Sequence, residues 1–167
     1  MILNLSDIEV KLDQIIIANA NFGREKFTVE IKHKFASLFE ATEFGVYANK
    51  IGDDPNSYFS YKQEYMYDLA VFEEKQSPRN DVDFVVRTIL ALESEWSSNF
   101  KGVIDDFQKL LVANAMNKVM VFRCHSSELE DYTGFMMQNI NEYSGGSGKF
   151  FLVAFISDQH KFIVKTV

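Results

Sequence analysis

The chain predicts an α/β domain with a mixed central β-sheet, and three observations predict it. Helix-spaced apolar stripes open the sequence, and short β-branched and aromatic runs of strand length follow. A further helical stripe then separates the third of those runs from the fourth. Helix, three strands, helix, strand, helix and closing strands is an α/β order rather than a bundle or a sandwich.

Ser6 to Ala18 places Ile8, Leu12, Ile15 and Ile16 at helical spacing, with Ser6 or Asp7 positioned to cap the start. After Asn21-Phe-Gly23, a second helix is expected from Arg24 to about Ala41. Its apolar stripe is Phe27, Ile31, Phe35, Leu38 and Phe39, with Glu30, Lys32 and Lys34 off it. Phe44 to Ile51 reads as a strand closed by Gly52-Asp-Asp-Pro-Asn-Ser57. The second strand covers about Tyr65 to Glu73 and is followed by a polar loop, Glu74 to Asn80; the third runs from Arg87 to Glu95. A helix is expected over Val103 to Ala115, a fourth strand over Lys118 to Arg123, and a helix capped by Ser126 that reaches Tyr143. Gly145-Gly-Ser-Gly148 stops that helix, and Lys149 to Ile156 with Lys161 to Val167 forms a closing hairpin.

The expected organisation is one domain over residues 1–167, a length that supports a proper core but not two. A hydrophobic content of 47% with 16 phenylalanines excludes global disorder. The longest apolar runs, such as Phe150 to Ile156, are strand-sized and far short of a membrane span. The first residues lack the basic start and apolar stretch of a signal peptide, and the single Cys124 has no internal partner, so a cytoplasmic protein is expected. A net charge of −7 argues against a free-standing, non-specific nucleic-acid binder. It leaves room for an enzyme acting on nucleic acid, in which some acids hold metal and bases cluster locally.

The chemistry concentrates at the end of the third strand, where Glu93 and Glu95 stand one residue apart. Side chains at i and i+2 share a strand face, so both carboxylates aim into one volume and each resists ionising beside the other. A hard divalent cation neutralises such a pair through oxygen ligands. Asp68, in Tyr-Met-Tyr-Asp-Leu-Ala-Val-Phe, is a poor strand former placed in the second strand. If the two strands are neighbours, Asp68, Glu93 and Glu95 make an octahedral-type site for Mg²⁺ or Mn²⁺. The plainer alternatives are solvated glutamates, or glutamates paired to Arg87 or Lys109.

Over roughly Arg24 to Arg123 this pattern resembles the PD-(D/E)xK nuclease superfamily, which includes many type II restriction endonucleases. The resemblance implies a restriction endonuclease-like core and Mg²⁺- or Mn²⁺-dependent hydrolysis of nucleic acid, DNA foremost. By position, Asp68 would be the aspartate, Glu93 the (D/E), and Glu95 the residue at the lysine place. Glu-x-Glu is an accepted variant in the superfamily, and in other members the lysine migrates to the following helix. Lys109 in Asp106-Phe-Gln-Lys-Leu-Leu is such a lysine, although helical geometry sets it opposite the Phe107/Leu110/Leu111 stripe, where a lysine is ordinarily solvated. Some members add an acid from the first core helix, for which Glu40 and Glu30 are candidates. A homodimer or partner subunit is implied if both strands of a duplex are cut. The alternative function is a nuclease-like domain that binds protein or nucleic acid without cutting.

Other features carry less. Tyr143-Ser-Gly-Gly-Ser-Gly-Lys149-Phe faintly looks like a P-loop, but its glycine spacing fails and a strand follows it. His33, His125 and His160 lack ligand spacing, and Trp96 reads as a packing anchor.

Overall fold

The computed structural model describes residues 3–18, 24–39, 43–48, 66–78, 83–97 and 99–167. Helices α1 (Leu5–Ala18) and α2 (Arg24–Ala36) come first, followed by β1 (Gly45–Ala48), β2 (Leu69–Gln76) and β3 (Asp83–Glu95). Then α3 (Phe100–Val112), β4 (Ala115–Cys124), α4 (Leu129–Glu142), β5 (Lys149–Ile156) and β6 (Lys161–Thr166) complete the order. The strands form one six-stranded sheet in the order β1-β2-β3-β4-β5-β6. β1, β2 and β3 are antiparallel neighbours, β3, β4 and β5 run parallel, and β6 returns antiparallel. Parallel neighbours cannot be joined by a tight turn, so α3 and α4 serve as the crossovers. The architecture is therefore α/β with a mixed, open sheet flanked by helices.

The strands sort their side chains by alternation. Val119, Val121, Phe151 and Val153 face α1 and α2, where they meet Ile8, Leu12, Ile31 and Phe35. Met120, Phe122, Leu152 and Ala154 face α3 and α4, where they meet Phe107, Leu110, Tyr132 and Met136. Burial on both faces is why β4 and β5 read as continuous apolar runs. Trp96 packs against Phe27 at a 5.0 Å ring separation and against Phe155 at 5.7 Å, a packing anchor as expected.

Several boundaries differ from the expected ones, each for a local reason. The second helix ends at Ala36 and tightens into a 3-10 turn over Ser37–Phe39. β2 continues through Glu74 to Gln76 and β3 begins at Asp83, because the two pair beyond the rest of the sheet as a ribbon where polar residues remain solvated. Asn99 starts α3 three residues early by accepting the Lys101 N–H at 3.0 Å. Ser126 is not the cap of the fourth helix. A 3-10 turn over Ser126–Glu128 precedes it, capped by His125, whose Nδ1 accepts from Ser127 N while Glu128 Oε2 accepts from His125 N at 2.8 Å; α4 itself starts after Glu128 without a side-chain cap. Lys118, fully buried on β4, donates to Leu111 O at 3.4 Å, so it meets the negative end of α3. Gly148 enters β5 at φ +111, and a Cβ there would lie 2.0 Å from Ala115 O. Only glycine permits that approach between the starts of β4 and β5.

Candidate active site

The β2–β3 ladder positions the site. Its last pair is Leu69 with Leu92, so β2 stops one residue short of where Asp68 comes level with Glu93. Asp68 thus lies in the bend just ahead of β2 rather than inside a strand. Ser94, two residues past Leu92, directs its N–H toward the space β2 has vacated. Asp68 fills that space: its Oδ2 accepts the Ser94 N–H at 2.9 Å. The aspartate completes the ladder with a side chain, which fixes its carboxylate against β3.

Glu93 follows Ala91 on the α3 face of β3 and is 3% exposed, level with Met120 of β4. Its Oε1 is buried without a hydrogen-bond partner, although Lys109 Nζ stands 3.5 Å away at ion-pair distance. Burial above all, then the Asp68 charge, pushes the Glu93 carboxyl up to about 8; Asp106 adds to the rise and Lys109 opposes it. Glu93 is therefore largely protonated at neutral pH.

Lys109 reaches this carboxylate despite its position off the apolar stripe. Its flexible stem leaves the side chain 51% exposed while Nζ sits 2.6 Å from Asp106 Oδ1 and 3.5 Å from Glu93 Oε1. The hydrogen bond to Asp106, and then the charges of Glu93 and Asp106, raise its pKa against the opposing effect of burial. Lys109 is therefore half solvated, with its ammonium shared between Asp106 and the Glu93 carboxyl.

Glu95 has another engagement. Its Oε1 accepts the Ser97 N–H at 2.5 Å, and its Oε2 lies 3.6 Å from the place a Cβ on Gly102 would take. It therefore braces the turn from β3 into α3. Glu40 lies outside the described residues, and Glu30 is half-buried on α2. Among the described residues, no group of three or more His, Cys, Asp or Glu side chains is gathered closely enough to hold a metal ion. Asp68 and Asp106 are the carboxylates near enough to Glu93 for their charges to raise its pKa.

The sequence reading missed Lys32 and Tyr67. Lys32 is 4% exposed, and its Nζ lies 3.3 Å from Asp68 Oδ1. The signal was Ala36 one helical turn on, also buried, which widens the α2 stripe to include Lys32 and leaves room for its stem. Tyr67 is buried beside the site; burial first and the Glu93 charge second raise its phenol pKa, so its hydroxyl stays protonated. No helix among the described residues is long and apolar enough to cross a membrane. No protein-family model, curated protein or solved structure matches the chain.

Proposed function

We propose that the chain is a metal-dependent nuclease, hydrolysing phosphodiester bonds of nucleic acid, DNA foremost, on a restriction endonuclease-like core. The observation that carries this reading is Glu93: a buried carboxylate with an unpartnered oxygen, facing a second carboxylate on the adjoining chain segment. An apolar or amide side chain would be cheaper there unless the site is meant to receive a cation.

Two carboxylates with hard oxygen donors suit Mg²⁺ or Mn²⁺, which complete an octahedron with water and substrate phosphate rather than with an all-protein cage. Asp68 and Glu93 would hold the ion. When bound, it neutralises charge on the phosphate and lowers the pKa of a coordinated water. Ser94 N–H and Lys32 keep Asp68 oriented from opposite sides of its carboxylate. Lys109, anchored on Asp106 and half exposed, is free to hold the attacking water or a non-bridging oxygen. It takes the cationic part that Glu95, at the lysine place, cannot supply, and Glu95 holds the β3–α3 turn on which Lys109 depends. Cleavage of both strands of a duplex would need a second copy.

Purified protein with Mg²⁺ or Mn²⁺ should nick plasmid DNA, and Glu93→Ala should abolish the nicking; cleavage that survives the substitution overturns the reading.

One specific observation favours a non-catalytic, nuclease-like binding module instead. Each of the two carboxylates already faces a lysine, Lys32 for Asp68 and Lys109 for Glu93. That balance suits a purely structural ion network. Calorimetric titration separates the two: Mg²⁺ or Mn²⁺ binding that disappears in Asp68→Ala supports the enzyme, and no binding supports the module.

A further inference from the structure

Beside the carboxylate pair lies a second feature that the hydrolytic chemistry does not use. A cavity of about 620 Å³ opens between the β2–β3 ribbon and the starts of β4 and β5. That volume falls in the range of small-molecule pockets. Tyr67 belongs to both places: it lines the cavity, and it is near enough to Glu93 to feel its charge. Whatever fills the cavity therefore lies along β3 from the proposed cleavage centre, since Arg87 and Thr88 on its wall precede Glu93 by six and five residues, about 17–20 Å of strand.

The lining has two chemical characters. Met66, Val85 and Val86 are large apolar residues left 71%, 45% and 42% exposed, and all three stand on the cavity wall. Met66 also holds the left-handed backbone conformation at φ 66, uncommon for a side chain without a short polar group. Exposed apolar residues that converge on one cavity mark a place where a flat, apolar ligand face is taken out of water.

The second character is positive. In a chain with 24 acids and 17 bases, the charged residues lining this cavity among the described residues are Arg87 and Lys149, both basic. Arg87 uses its Nε on Glu73 at 2.5 Å, which leaves its two terminal amino groups for another acceptor. Lys149, whose ammonium lies 4.9 Å from the Phe151 ring centre, adds positive potential. Ser147 and Gly148, from the glycine-rich loop, complete that side, and the close approach at Gly148 sets the loop against the start of β4.

We propose that this cavity is a nucleotide subsite, taking the base of a substrate residue a few nucleotides from the cleaved bond against Met66, Val85 and Val86, and its phosphate at Arg87 and the Ser147–Lys149 loop. The assignment rests on the nuclease reading above, since that reading supplies the reason for a nucleotide here. A pocket that packs one base face and holds one phosphate tolerates different bases, because every base has a flat face.

Binding is tested on the full chain without divalent metal, in the presence of chelator. Adenosine 5′-monophosphate and thymidine 5′-monophosphate are titrated against the protein by amide chemical-shift mapping, with inorganic phosphate and the free nucleosides as separate arms. Saturable mononucleotide binding is expected, with shifts at Arg87 and Gly148, and at least tenfold weaker binding of both free nucleosides and inorganic phosphate. Arg87→Gln and Val86→Asp, both at exposed positions, should each weaken binding at least tenfold while the thermal unfolding transition persists. Glu93→Gln, which removes cleavage under the nuclease reading, should leave this binding in place. Absence of saturable binding at millimolar mononucleotide, or binding indifferent to both cavity substitutions, overturns the subsite. Binding that obeys these expectations in a chain that cuts nothing keeps the subsite and overturns the nuclease reading alone.

Discussion

Glu93 and Asp158 are both carboxylates at the same end of the sheet, the first near the C-terminal end of β3 and the second just beyond β5, yet the protein treats them oppositely. Asp158 is complete. Its Oδ1 accepts from Ser126 N at 2.9 Å, its Oδ2 from Ser126 Oγ at 2.6 Å, and His125 Nε2 lies 3.7 Å away. Those hydrogen bonds, the hydroxyl first, hold its carboxyl below the usual range. Glu93 is buried, short of a partner on Oε1, and held above the usual range. The serine, histidine and aspartate of the first region look catalytic as a set of letters, but their bonds are spent on a helix start. Glu93 is the carboxylate left with an unmet need among the described residues, and an unmet need in a buried site is the better mark of a ligand.

The sharpest way to break that contrast is to remove each carboxylate in turn. Glu93→Gln should lower Mg²⁺-dependent cleavage by at least about 100-fold, because a neutral amide neither holds the ion nor moves a proton. Asp158→Asn should leave cleavage intact and lower the thermal midpoint only slightly, as the 3-10 turn ahead of α4 frays. Plasmid nicking and circular dichroism melts of the two variants check the pair; loss of cleavage in Asp158→Asn would reverse the assignment.

Titration provides the second contrast. On the nuclease reading a cation would have to displace the proton that Glu93 keeps up to about 8, so metal affinity should rise with pH and level off above that value. Below it, each unit of pH should weaken binding by about tenfold, one proton being displaced. The same group acts on stability with a definite sign. Between its ordinary value of 4.5 and about 8, the folded chain holds a proton that the unfolded chain has released. Stability therefore falls as pH rises through that window, by about 1.4 kcal/mol per unit for one proton, and flattens above it. Glu93→Gln should remove that slope. Asp158 works the other way: its folded pKa is depressed, so its contribution is present above the unfolded value and is lost as pH falls through the folded one. Urea midpoints measured from pH 2 to pH 9 test both.

The two regions were unequally legible in the sequence. The apolar runs of β4 and β5 and the helical stripe of α3 were readable, because burial on both sheet faces fills strand positions with apolar letters while a one-faced helix keeps its period. Glu93 stood out because an acid at the end of an apolar strand contradicts its surroundings. What the letters could not give is which neighbour satisfies which atom. Glu95 has the same residue type on the same face, yet it turns to Ser97 because the β3–α3 turn offers an N–H two residues on. Lys32 read as surface because only three-dimensional packing shows that Ala36 makes space beside it. His125 read as scattered, whereas a cap is set by the direction of the chain and not by spacing alone. Glu40 lies outside the described residues, so its expected place in the site stays an expectation.

The smallest expected effect separates the two lysines at the site. Lys32→Met removes a buried charge that steadies Asp68, and the hydrogen-bonding partner left behind should cost about 1.5–3 kcal/mol of stability. Lys109→Met removes a half-exposed ion pair and should cost only about 0.2–1 kcal/mol. Its signature lies elsewhere. Lys109 holds the Glu93 pKa down, so without it the carboxyl should keep its proton to higher pH, and the pH dependence of metal binding should move upward. A structural lysine would lower the melting temperature and leave that profile where it was. An unshifted profile in Lys109→Met would return this residue to the solvated surface from which its helix position first suggested it came.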